Sequence, residues 1–148
     1  MMTRMLTAVS LTLLFSMPAW AQRDGKPPRD GAAKLCLARI AYATTRTVRG
    51  IDAITDRCES MIVRLVQADQ KEEAMALAER CTAAIRELAA AGADRVDQIA
   101  RYCSPSLTAV SPGEVPDPVI QRAVIAAKGL IGDALDRGMR RIAAALEG

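Results

Sequence analysis

Among the 148 residues of this chain, the four with the widest chemical reach are Cys36, Cys58, Cys81 and Cys103. Thiols can ligate zinc, act as nucleophiles or redox couples, or pair as structural disulfides. Zinc sites favour Cys-x-x-Cys pairs or Cys with His, and this sequence has neither a Cys-x-x-Cys nor a histidine. Redox shuttles use cysteines close in sequence at a helix N-terminus, where the thiol pKa falls. Here successive cysteines lie 22, 23 and 22 residues apart. Structural disulfides remain. The residue numbers of the outer pair sum to 139, and so do those of the inner pair, so one fold-back near residue 69 or 70 brings both pairs into register.

The helices that must carry these cysteines follow from that spacing. Twenty-two residues make close to six helical turns, which puts Cys36 and Cys58 on nearly one face, and likewise Cys81 and Cys103. The same gap spans about 33 Å of helix, whereas disulfide Cα atoms lie within about 7 Å. That excludes bonds within one helix. The crossed pairing requires parallel helices, which the short connection at Asp69 does not allow. Cys36–Cys103 with Cys58–Cys81 is the pairing that survives. The same rule sets Ile40 opposite Ile99, Thr47 opposite Gly92, Ile51 opposite Leu88, Ile54 opposite Ile85, Met61 opposite Ala78 and Leu65 opposite Ala74. These positions follow an apolar seam of mixed three- and four-residue steps, at 40, 44, 47, 51, 54, 58, 61 and 65 on one arm and from 74 to 103 on the other.

The chain opens with Arg4, an apolar run over 5–17, then Pro18 and Ala19-Trp20-Ala21. This is the layout of a secretory signal peptide cut after Ala21. The run is shorter than the roughly 20 residues a spanning helix needs. A periplasmic or secreted product is expected, and an oxidising compartment suits an even number of cysteines. Trp20 and Phe15 leave with the leader, so Tyr42 and Tyr102 are the aromatics of the mature chain. A core of Ala, Ile, Leu and Val stabilises weakly, which gives covalent staples a purpose. The formal charge of +3 drops to +2 without Arg4, too little to indicate nucleic acid.

Residues 22–31, rich in Gly, Pro and charge, read as a flexible segment. A first helix is expected from Ala32 to Gln67, with a bend or fraying near Gly50. Asp69 and Glu72 form an Asp-x-x-Glu capping box for a second helix ending at Cys103. Residues 104–117 hold Pro105, Pro112 and Pro116 and read as a Pro-rich linker. Asp117-Pro118 then starts a third helix, 118–148, with an apolar stripe of Ile120, Val124, Ala127, Ile131, Leu135, Ile142 and Leu146. Asp133–Arg137 and Asp136–Arg140 suit i,i+4 ion pairs. Gly129, Gly132 and Gly138 weaken this helix and favour its docking close to the hairpin. The expected fold is all-α: a long antiparallel helical hairpin stapled by two nested disulfides, with the C-terminal helix packed on it as a three-helix bundle.

In architecture the stapled hairpin resembles the twin-cysteine hairpins of mitochondrial intermembrane-space proteins, whose cysteines are far more closely spaced. The likeness is one of architecture only.

For catalysis the sequence supplies little. Without histidine there is no imidazole base. No phosphate-cradling glycine loop occurs, and Glu72-Glu73 and Asp94/Asp97 fall on exposed helical turns. No catalytic, cofactor-binding or metal residue is assigned. Arg39, Arg46, Arg57 and Arg64, spaced 7, 11 and 7, form one line along the first helix. They are the candidate interaction surface, suited to an acidic protein partner. The expected function is that of a non-enzymatic interaction module of the cell envelope: an adaptor, inhibitor or chaperone-like binder. The alternative is a peripheral membrane-associated or self-assembling component using the C-terminal helix, whose basic face Asp133, Asp136 and Glu147 dilute. Mass spectrometry of the unreduced secreted product should give an N-terminus at Gln22 and peptides joined only as Cys36–Cys103 and Cys58–Cys81; any other joined pair refutes the fold-back.

Overall fold

A computed structural model describes residues 29–103 and 118–148. The leader (1–21), most of the expected flexible segment and the linker 104–117 lie outside the described residues. Three helices pack together: α1 (Arg29–Gln67), α2 (Lys71–Tyr102) and α3 (Pro118–Glu147). Helix α1 begins three residues earlier than the sequence suggested and runs unbroken through Gly50.

Both disulfides form as the spacing required, with Cα–Cα distances of 5.4 Å for Cys36–Cys103 and 6.2 Å for Cys58–Cys81. The register between them holds. Thr47 packs directly against the bare Cα of Gly92, where an added Cβ would overlap its side chain.

The fold-back itself is built differently from the expected capping box. Asp69 adopts φ +60, the left-handed region. The Gln70 N–H donates to the Leu65 carbonyl at 2.9 Å and the Asp69 N–H to that of Val66 at 3.0 Å. This is a Schellman ending for α1, with Asp69 in the place glycine usually takes. A short polar side chain tolerates that conformation better than a branched one. Gln70, not Asp69, is the N-cap of α2, and its side chain makes no capping bond.

Helix α3 lies parallel to α1 and antiparallel to α2. Near its N-terminal end, Lys128 meets Asp97 of α2; further along, Arg141 meets Asp56 and Glu59 of α1. At the end of the chain, Gly148 comes to rest beside Val66. The i,i+4 pairs Asp133–Arg137 and Asp136–Arg140 do not form; the cations of α3 that find acids do so across helices.

Burial repeats every eleven residues in all three helices. In α1 the buried sets are Cys36, Thr47 and Cys58; Ile40, Ile51 and Ile62; Thr44 and Thr55. In α2 they are Ala74, Ile85 and Val96; Ala78 and Ala89; Cys81 and Gly92. In α3 they are Ile120, Ile131 and Ile142; Ala127 and Gly138; Ala134 and Ala145. Eleven residues in three turns is about 3.67 per turn, close to an ideal helix and of opposite drift to a heptad. The helices therefore stay in contact along their length, about 58 Å for the 39 residues of α1.

This period corrects the expected seam. Residues 55, 62 and 89 are buried, whereas Ile54 and Leu88 are half-buried and Met61 is exposed. The reason is α3: its Gly138 packs against Ile51, Thr55 and Ile85, which turns the buried face toward it. On α3, too, Ala134, Gly138 and Ala145 are fully buried while Val124, Leu135 and Leu146 are half-buried. Among the described residues the core contains no aromatic ring. Its three threonines return their hydroxyls to the helix: Thr44, Thr47 and Thr55 donate to the carbonyls of Ile40, Ala43 and Ile51 at 2.8–2.9 Å.

The glycines divide by what surrounds them. A Cβ on Gly138 would sit 2.7 Å from Thr55 Oγ1 and 3.1 Å from Ile85 Cδ1, where all three helices meet. A Cβ on Gly129 or Gly132 would meet nothing within 4 Å. Gly129→Ala and Gly132→Ala should each raise the urea-unfolding free energy by about 1 kcal/mol, the helix-propensity difference. Gly92→Ala should lower it by about 1–3 kcal/mol through overpacking against the stiff Thr47. Neutral or opposite effects would mean that the helix contacts differ from those described.

Candidate functional site

Three helices enclose one core and leave three outer furrows, and these differ in charge. In the α1–α3 furrow the Arg141 guanidinium forks between Asp56 (2.8 Å) and Glu59. Hydrogen bonds that it donates to Asp56 first, and then to Glu59, hold its pKa above the ordinary arginine value. Its charge is therefore lost only in strong alkali and adds no pH dependence near neutrality. In the α2–α3 furrow Lys128 and Asp97 pair at 2.5 Å. These side chains are 32–64% exposed, so each contact contributes about 0.2–1 kcal/mol.

The α1–α2 furrow has no such closure. It forms a groove of about 970 Å³ toward the Cys36–Cys103 end of the hairpin, with Cys103 in its wall. Ala43, Thr47, Gly50, Leu88, Gly92 and Ile99 give it an apolar floor of mostly small residues. Arg39 and Arg46 stand on the α1 side, Arg95 and Gln98 on the α2 side. Tyr42 and Tyr102, 69% and 81% exposed, flank it. Among the described residues no Asp or Glu lines the groove, and none of its three arginines has an ion-pair partner.

Of the expected arginine line, the groove gathers Arg39 and Arg46. Arg57 and Arg64 are exposed on the same side of α1, farther toward the turn and outside the groove. Sequence reasoning missed Arg95 and the tyrosines as members of the site. The signal was present. The rule that partners sum to 139 sets Arg95 opposite residue 44, between Arg39 and Arg46, and sets Tyr102 opposite residue 37.

Guanidiniums and phenol hydroxyls can bind carboxylates or phosphates by charge-assisted hydrogen bonds, while the floor accepts apolar groups. The half-cystines at this end are tied to each other, so neither is a free thiol. Among the described residues no cluster of three or more His, Cys, Asp or Glu could hold a metal. No described helix is long and apolar enough to cross a membrane. Two disulfides fit a chain that folds in an oxidising compartment. Comparisons with protein-family models, with curated proteins and with solved structures returned no match.

The outer disulfide closes a longer loop than the inner one, with separations of 67 and 23 residues. On loop-closure entropy, replacing Cys36 and Cys103 by serine should cost about 4 kcal/mol, and replacing Cys58 and Cys81 about 3 kcal/mol. Urea titrations of the two double variants should therefore rank the outer bridge as the stronger; the reverse order would contradict this.

Proposed function

We propose that this chain is a small exported, non-enzymatic helical protein that serves as a protein–protein interaction module in the cell envelope and presents the α1–α2 furrow to an acidic partner. The observation that carries this reading is the furrow's charge: three arginines and two exposed tyrosines around an apolar floor, with no acid among the described residues of the lining. Unneutralised like charges beside one another cost stability, so their concentration here, while α3 draws acids to the other furrows, fits a surface completed by another molecule. Arginine and tyrosine are also the side chains that dominate binding energy at protein interfaces. The leader-like segment ending at Ala21 and the two disulfides support export to a periplasmic or extracellular space.

The alternative use of α3 on a membrane surface has less support. Ile120, Ile131 and Ile142, the backbone of its apolar stripe, are buried in the bundle.

A photo-crosslinking amino acid at Tyr42, in the furrow, should capture an acidic envelope protein in a salt-sensitive manner. The same group at Arg122, exposed on α3, should not. Equal capture at both positions, or capture only at Arg122, would refute the assignment of the furrow.

A further inference from the structure

The furrow's shape and the line of cations that leads out of it narrow the partner further. Resting on the reading of the furrow as an interaction surface, we infer that its occupant is one acidic α-helix of another polypeptide, with carboxylates recurring at the spacing of the arginine line. The three furrows of the bundle make the first argument. Where two helices of this chain flank α3, each furrow is bridged by cation–carboxylate contacts. In the α1–α2 furrow, cations stand on both rims, Arg39 and Arg46 facing Arg95. Among the described residues nothing supplies counter-charges there, and an element that reaches both rims at once would.

Length makes the second argument. Arg39, Arg46, Arg57 and Arg64 are all exposed and stay on one side of α1 through steps of 7, 11 and 7 residues. They extend over about 37 Å of helix, far beyond the groove and beyond the reach of a small anion. A helix laid along the furrow with acids at the same intervals meets every one of them, because both rods share one rise and one period. An extended strand, at about 3.3 Å per residue with alternating faces, has no such match.

The floor makes the third. Ala38, Ala43 and Ala91 are small side chains that leave space for a cylinder to approach at ordinary interhelical distances of about 8–10 Å, while Gly50 and Gly92 beneath are covered by Leu88 and Thr47 of the hairpin itself. A flat anionic bilayer would meet the rims and leave this recessed floor empty. The docked helix is thus a fourth member of the bundle, of the helix-in-groove kind.

Two synthetic helices of equal composition test this, with the intact disulfide-bonded protein. One carries glutamates along one flank at intervals of 7, 11 and 7, matching the arginine line; the other has the same glutamates spread around its circumference. The matched peptide should bind about tenfold more tightly at low salt, as a few exposed ion pairs would give, and the difference should shrink as salt rises. The variant Arg46→Glu with Arg95→Glu should lose this preference while keeping or raising its Tm, since it relieves like-charge crowding. Arg122→Glu with Arg140→Glu on α3 should retain it. Equal affinity for the two peptides, or no binding of the matched one, overturns the proposal. So does binding to phosphatidylglycerol vesicles without binding to the matched peptide, or a concentration-dependent homodimer that Arg46→Glu with Arg95→Glu abolishes. If crosslinking at Tyr42 succeeds and the matched peptide fails, the furrow reading stands and the helical occupant falls.

Discussion

Two covalent bonds about six helical turns apart hold α1 against α2, and the rest of the structure depends on that constraint. The pair needs it. Its interface is made of small and medium side chains, with Thr47 against a bare glycine, and its outer edges carry guanidiniums on both sides. The other two helix pairs have contacts between opposite charges along their edges. A disulfide is indifferent to surface charge, so the α1–α2 edge is free to hold a distribution that would weaken a non-covalent pair. The crosslinks and the cationic furrow are two aspects of one arrangement.

The core shows the same economy. With both tyrosines exposed, it is filled by isoleucine, valine, alanine, glycine, threonine and half-cystine. Thin side chains bring the backbones close, and close rods tolerate few errors of register. Isoleucine recurs at 40, 51 and 62 in α1 and at 120, 131 and 142 in α3, which places the bulkiest aliphatic group at the same level of successive repeats. Threonine serves at the crowded points because its hydroxyl bonds to its own helix four residues back and needs no partner across the interface.

Much of this was legible in the sequence, for a physical reason. Disulfides impose a distance that few chain paths satisfy, so four cysteine positions sufficed to place the turn and align two helices. The hairpin seam was read less well. Steps of three and four residues look alike over short windows, so the expected seam runs through Ile54 and Met61, each one residue out of phase with the buried Thr55 and Ile62. The eleven-residue recurrence of isoleucine would have settled it. The turn chemistry at Asp69 was misread because a left-handed residue closing one helix and an N-cap opening the next draw on the same side chains. The candidate site was half legible: the arginine line is a property of one helix, whereas the furrow needs two, and Arg95 belongs to it only once α2 is in register.

The shared repeat also bears on how long this molecule can be. Three rods that bury the same eleven-residue unit can each gain or lose one unit without turning any face away from its neighbours. Each unit changes the rod by about 16 Å. Shortening by any other number of residues would rotate part of one helix relative to the other two and separate sulfur from sulfur. The dimensions of such a protein are thus quantised, and relatives built on the same plan should differ in reach by whole steps, with cysteines moving apart in multiples of eleven.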